Sequence, residues 1–209
     1  MSTSELVANY LLQIKAIKLS PQSPFTWASG IKSPIYCDNR LTLSYPEVRN
    51  AIVDAFVKVA KSHFDFDAIA GVATAGIPHG ALLADRLGLP FAYVRSKAKA
   101  HGRQNQIEGQ IPEGAKVLVI EDLISTGGSS LQAVDALKQA GVQVAGVLAI
   151  FTYQLPEAIE AFKTANCALA TLSDYETLIQ FAIDQQYIEQ KDYQLLSSWK
   201  DNPKGWMPN

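Results

Sequence analysis

Lys116-Val117-Leu118-Val119-Ile120-Glu121-Asp122-Leu123-Ile124-Ser125-Thr126-Gly127-Gly128-Ser129-Ser130 is the stretch on which the reading of the chain turns. Val117–Ile120 are consecutive aliphatics without polar alternation, the pattern of a strand buried on both faces in a parallel sheet. Glu121 and Asp122 follow, where that strand is expected to end. Small hydroxyl and glycine residues come next, and then Leu131, Val134 and Leu137 at one-face helical spacing, stopped by Gly141. Strand, glycine-rich turn and helix start together make an anion site. The first N–H groups of a helix lack internal partners and lie at the positive end of its dipole. Ser125, Thr126 and Ser129 add hydroxyl donors, and Gly127 and Gly128 let the backbone come close to an anion.

The acid pair narrows the ligand. Two carboxylates beside a phosphate cradle repel a bare polyphosphate, but they suit the vicinal hydroxyls of a sugar, with Mg²⁺ nearby to offset charge. The residues therefore imply a ribose 5-phosphate held at both ends. A buried strand ending in solvated acids, with the glycines serving only as a turn, is the plainer alternative. No Gly-x-Gly-x-x-Gly and no Gly-x-x-x-x-Gly-Lys-Ser/Thr occurs, which disfavours dinucleotide and nucleoside-triphosphate loops.

Val117–Ser129 resembles the phosphoribosyl-pyrophosphate (PRPP) signature of type I phosphoribosyltransferases. Together with Phe25-Thr26-Trp27-Ala28-Ser29-Gly30-Ile31-Lys32-Ser33-Pro34, which resembles a hood over a pyrimidine base, the whole chain resembles the orotate phosphoribosyltransferases. The resemblance implies an α/β type I phosphoribosyltransferase fold: a central, mainly parallel sheet flanked by helices, with a small N-terminal hood. It implies one domain over 1–209, with the hood mainly in 1–45, a C-terminal contribution to it, and a core over about 46–170. It also implies transfer of the phosphoribosyl group from PRPP to orotate, Mg²⁺ held mainly by PRPP with help from Asp122, and no dedicated protein ligand set. PRPP binding is carried over to Arg95, Lys99, His101, Glu121, Asp122, Leu123, Ile124, Ser125, Thr126, Gly127, Gly128 and Ser129, with Lys99, His101 and Asp122 as the catalytic set. Ser125 and Tyr36 are expected to touch orotate, and Thr74, Ala75 and Gly76 to form the pyrophosphate loop.

Length and composition bound these expectations. With 209 residues, 48% apolar, the chain can bury one substantial core, and a net charge of −2 argues against nucleic acid as the main partner. No basic signal start and no apolar run of membrane-spanning length occurs, so no membrane and a cytoplasmic setting are expected. Cys37 and Cys167 are too few and too dispersed for a disulfide framework or a metal knuckle.

Elsewhere, periodicity predicts a helix over 4–19 with Ser4 as its cap, and a strand–turn–strand over 25–40. Ile35, Tyr36 and Cys37 stand at base-packing positions; Tyr36 is a candidate to stack on a base, or else a core aromatic. Trp27, Trp199 and Trp206 read as packing anchors, and His63 and His79 as structural. A helix over 46–62 is followed by a strand, Ala68–Val72, a second glycine turn at 73–76, a helix to Leu87 and a strand over 89–94. From Arg95 to Gly109 four basic side chains and His101 surround a single large aliphatic, which predicts a mobile cationic lid. The resemblance places this loop in a neighbouring subunit's active site, hence a homodimer. Further elements are a helix over 130–140, a strand over 142–151, helices over 156–165 and 175–184, and an edge strand near 168–172.

Three departures from the family pattern stand out: Ala28 and Ala75 where relatives carry lysine, and Tyr153 near where many carry arginine. They leave the partner of orotate's carboxylate open among the backbone of 29–32, Lys32 and Arg40. Three other readings compete: a purine phosphoribosyltransferase, a PRPP-sensing regulator, and a nucleotide-binding α/β domain alike in one loop only. The Phe25–Asn39 segment disfavours the first, and the absence of a basic recognition helix disfavours the second.

Overall fold

A computed structural model describes residues 1–27, 30–96 and 106–206. In chain order the elements are α1 (Thr3–Gln13), β1 (Ile17–Leu19), β2 (Phe25–Thr26), β3 (Lys32–Ser33), β4 (Ile35–Cys37), α2 (Pro46–His63), β5 (Ala68–Val72), α3 (Gly76–Leu87) and β6 (Phe91–Val94). There follow β7 (Ile107–Gly109), β8 (Lys116–Ile124), α4 (Gly128–Gln139), β9 (Gln143–Thr152), α5 (Pro156–Thr164), β10 (Leu169–Asp174), α6 (Tyr175–Asp184) and α7 (Tyr193–Asp201).

The central sheet has the order β10-β9-β8-β5-β6-β7, parallel throughout except for the β6–β7 edge pair. β8 lies in its middle. Its alternate residues feed two separate cores: Leu118 and Ile120 join the one that contains Phe56, Leu83 and Trp199, whereas Val117 and Val119 join the one that contains Val134, Leu137 and Phe162. Burial on both faces is why this strand reads as an unbroken aliphatic run. The chain leaves β5 toward β6 on one side and returns at β8 on the other. The gap between the ends of β5 and β8 is therefore the topological switch point, where open parallel sheets place their ligands.

Two of the expected elements change shape. The helix predicted over 4–19 stops at Gln13, because Lys15 takes a left-handed conformation (φ 57°) and Ile17–Leu19 pair antiparallel with β4. Ile14 and Ile17 keep helical spacing, yet Ile17 serves a strand. Its cap is Ser2 rather than Ser4: Ser2 accepts from the Glu5 N–H, and Glu5 accepts from the Ser2 N–H. The lid predicted over 95–109 ends in a strand, since β7 adds to the edge of β6; residues 97–105, with Lys97, Lys99 and His101, lie outside the described residues. One helix, α7, had no clear sequence signal.

Two small antiparallel pairs, β1–β4 and β2–β3, form sheets of their own, and Thr26, Tyr36 and Cys37 from them share a pocket with Leu123 near the end of β8. They are tied to distant chain. Trp199, fully buried on α7, donates from Nε1 to the Lys32 carbonyl at 3.0 Å, and Gln22 donates to Asp192 at 2.8 Å.

Candidate active site

β8 does not end at the acids. It continues through Ile124, paired with β9 by Glu121↔Ala149, Leu123↔Phe151 and Ile124↔Thr152. Pairing with β5, in contrast, stops at Gly71↔Ile120. The strand thus projects beyond its neighbour, and that vacated edge is where Glu121 and Asp122 meet open space. Asn39, itself buried, donates from Nδ2 to the Asp122 carbonyl at 2.7 Å and takes the place of a strand partner there.

A cleft of about 520 Å³ lies over this edge. Its floor is Glu121, Asp122 and Leu123; one end is the turn Ser125–Ser129 and the other is Ala73–Ala75. Gly127 forms the N-cap of α4 with φ 82°, a conformation that glycine adopts without strain, and a Cβ there would lie 2.8 Å from Phe162. α3 begins opposite. At Gly76 a side chain would collide with the carbonyl oxygen of Ile120, so the second turn is pressed against the root of the acid pair. The Ala73–Thr74 peptide is cis. Two helix N-termini consequently face one cleft with two carboxylates between them.

The acids are not equivalent. Glu121 is 5% exposed; it accepts from the Asp122 N–H at 3.0 Å, from Ser129 Oγ at 3.3 Å and from Ser130 Oγ at 3.2 Å. Burial pushes its carboxyl well above the ordinary carboxylate range, and the charge of Asp122 adds to that push. Burial raises Asp122 too, and the Glu121 side chain opposes the rise. Two acids that resist joint ionisation are ready for hydroxyl donors or a cation. Ser129 and Ser130 tie Glu121 to the start of α4, a link that sequence reading missed for Ser130, since the expected ligand set stopped at Ser129.

A second, flatter pocket of about 280 Å³ adjoins the cleft through Cys37, Leu123 and Ser125, and is walled by Thr26, Trp27, Tyr36 and Tyr153. Trp27 and Tyr153 have ring centroids 5.2 Å apart, and Trp199 meets both edge-on at 5.6 Å from behind. Tyr36 is 41% exposed and lines this pocket, which removes the core alternative for it. Trp27 packs on the core and also faces the pocket.

A model of the phosphoribosyl transferase domain matches residues 44–183. The chain is 57% identical over 204 residues to orotate phosphoribosyltransferase of Bacillus pumilus, with 96% of each covered, and 57% identical over 205 residues to that of Bacillus subtilis, with 97% of this chain and 95% of the relative covered. The chain belongs to the orotate phosphoribosyltransferase family. Its fold is also that of the Aeropyrum pernix orotate phosphoribosyltransferase, at a TM-score of 0.76 and 28% identity, covering 88% of this chain and 99% of that one. As a member of the orotate phosphoribosyltransferases it is a pentosyltransferase.

Against the family expectation, the structure brings Thr74, Ala75, Glu121, Asp122, Leu123, Ser125, Thr126, Gly127, Gly128 and Ser129 to one cleft. Ile124 does not join them. It is fully buried, and its carbonyl accepts from the Tyr153 N–H at 3.1 Å, because the strand carries it inward past the acids. Gly76 is buried beneath the turn rather than lining it. Arg95 also stands away from the lining; its guanidinium faces Glu108 at 3.5 Å. Lys99 and His101 fall outside the described residues. Arg40 was not expected to line this cleft; it does so while held on Asp38 by two side-chain hydrogen bonds, of 2.6 and 2.9 Å.

Proposed function

We propose that the chain catalyses Mg²⁺-dependent transfer of the 5-phosphoribosyl group from PRPP to orotate, giving orotidine 5′-monophosphate and pyrophosphate, a step of pyrimidine nucleotide synthesis. One observation carries the reading: a buried and a half-buried carboxylate lie between two helix N-termini in a single cleft, beside a pocket walled by aromatic rings. A ligand that answers all of these needs an anion at each end, a diol between them and a flat acceptor alongside.

In this reading the amides and hydroxyls of Ser125–Ser129 hold the 5′-phosphate, and Glu121 and Asp122 accept from the ribose hydroxyls. The turn at Thr74 and Ala75 receives the pyrophosphate. The bond from ribose C1 to the pyrophosphate oxygen breaks and a bond from C1 to orotate N1 forms, so positive charge builds on the sugar ring and negative charge on the leaving group. No side-chain nucleophile is required; positioning and charge stabilisation suffice. Arg95, Lys99 and His101 are assigned to the leaving pyrophosphate, with the 95–109 loop supplied by the second subunit of a homodimer, and Ser125 and Tyr36 to the base. The donor set suits Mg²⁺ that arrives on PRPP, because two carboxylates edge the cleft and can share an ion already held by phosphate oxygens. When bound, the ion would neutralise phosphate charge, and Asp122 would help hold it.

The test is loss of orotate absorbance with PRPP and Mg²⁺, set against hypoxanthine, uracil and no base. Consumption of orotate alone supports the assignment; consumption of hypoxanthine instead, or of no base, overturns it. The shared site has its own test. Lys99→Ala subunits mixed with Asp122→Asn subunits regain activity if the loop acts across the interface, and stay inactive if each loop serves its own cleft.

A further inference from the structure

The base pocket lacks a counter-charge for the acceptor proposed above. Among the described residues its walls are Thr26, Trp27, Tyr36, Cys37, Leu123, Ser125 and Tyr153, all neutral at ordinary pH, whereas orotate brings a carboxylate. A carboxylate moved into such a pocket without a cation or fixed donors loses its hydration uncompensated. Arg40 is near but already engaged, closed on Asp38 through two hydrogen bonds. Lys32 is different. No ion pair to it occurs among the described residues, and its Nζ donates to the Thr26 hydroxyl at 2.8 Å. Thr26 and Lys32 are directly opposed across the β2–β3 pair, so both side chains stand on one face of it. Nor is the stem of Lys32 adrift: its carbonyl accepts from the buried Trp199 Nε1, and the adjoining Ser33 is fully buried with its hydroxyl on the Ile35 carbonyl at 2.8 Å.

We infer that Lys32, presented at the pocket rim by Thr26 and anchored from behind by Trp199, is the cation that selects an acceptor ring bearing a carboxylate over the same ring without one. The inference rests on the orotate reading and sharpens it to a residue. Binding would swing the ammonium from the Thr26 oxygen to the carboxylate, and the freed Thr26 hydroxyl can then donate to the same anion. Lysine suits this task because its ammonium sits on a flexible four-carbon stem.

Steady-state kinetics of Lys32→Gln and Lys32→Arg decide it. Loss of a charge-assisted hydrogen bond should raise the orotate KM about 10- to 100-fold in Lys32→Gln, with the PRPP KM within about twofold of wild type. Lys32→Arg keeps the charge and should recover most of the loss. Raised salt should weaken orotate binding in the wild type and lose that effect in Lys32→Gln, because an exposed cation is screened. An orotate KM unchanged in Lys32→Gln overturns the inference, as does an equal rise in both KM values, which would mean a general disturbance of the hood. A wild-type protein that consumes no orotate is a separate outcome, and it removes the underlying reading itself.

Discussion

In the proposed reading, residues 117–129 build most of the ribose-phosphate half of the cleft from one strand, one turn and one helix start, with the turn before α3 at its far end, whereas the base half gathers Thr26, Trp27, Tyr36, Ser125 and Tyr153 from scattered chain and fixes them from behind with Trp199. The first half is held by backbone geometry. Its donors are amides that no side-chain change removes, and its one delicate element is the acid pair. The second half is held by packing: Trp199 touches Trp27, Tyr153 and Tyr175 at centroid distances of 5.6, 5.6 and 5.3 Å and fixes the Lys32 carbonyl as well. A site can thus be robust toward one substrate and fragile toward the other.

The largest blow to that contrast is Trp199→Ala. Removing a fully buried indole costs about 3–5 kcal/mol of stability through lost burial and an unfilled cavity. If the halves are separately supported, the surviving folded protein should lose orotate affinity more than PRPP affinity, as measured by urea unfolding and by the two KM values. An equal loss of both would show that the hood also carries the phosphate half. Next in size is Asp122→Asn. A lost charged contact is worth about 1.5–3 kcal/mol, so kcat/KM for PRPP should fall about 10- to 100-fold while the circular dichroism spectrum and unfolding midpoint stay near wild type. Unchanged kinetics would remove the ribose-binding role.

The same contrast explains what could be read from the sequence. The β8–turn–α4 unit was legible because every residue that makes it is adjacent, and strand, glycine turn and helix each leave a local signature. What failed there was register: Glu121 and Asp122 read as following the strand, but β8 runs on beside β9 after β5 has stopped, a difference set by a neighbour far along the chain. The same continuation of β8 carries Ile124 inward, away from the cleft lining. In the hood, no local pattern distinguishes Ile17 as the last turn of a helix from Ile17 as a strand residue opposite Cys37. Nor does any pattern near Lys32 announce that Trp199 holds its carbonyl, or that α7 exists to bring Trp199 there. Ser130 was overlooked because its hydroxyl points to an acid nine positions earlier.

The phosphate half also carries a liability under its second helix. His79, on α3 behind the turn at 73–76, is fully buried, and neither ring nitrogen has a partner among the described residues. Burial lowers its pKa from 6.5 to about 4. Between those values the unfolded chain binds a proton that the folded chain refuses, so stability is intact above about pH 6.5 and is lost as pH falls toward 4. The limiting slope is about 1.4 kcal/mol per pH unit. The acid pair works in the opposite sense: its raised carboxyl groups are easier to bury protonated, so its contribution weakens as pH rises above the ordinary carboxylate range. The two are separated by His79→Leu, which removes the rising contribution: between about pH 5 and 6.5 its urea midpoint should fall more steeply with increasing pH than that of wild type, with the alkaline side unaltered. A variant with the wild-type acid slope would clear His79 of any part in it.

The smallest expected effect gives the sharpest reading of how independent the halves are. Gln22 Nε2 donates to Asp192 Oδ1 at 2.8 Å, clipping the chain between β1 and β2 to the segment that leads into α7. Asp192 is buried, and its other oxygen accepts from the Glu189 N–H at 3.2 Å. Gln22→Ala therefore leaves the acid partly satisfied and should cost only about 0.5–1.5 kcal/mol. Gln22 is not among the residues lining either pocket, so any kinetic change must travel through the packing of the hood. The contrast predicts a rise of about twofold in the orotate KM, since slight loosening behind Trp199 blurs the position of Trp27 and Lys32, and no change in the PRPP KM. A matched change in the two constants would point to Ser125, which lies in both pockets, as a mechanical link between them.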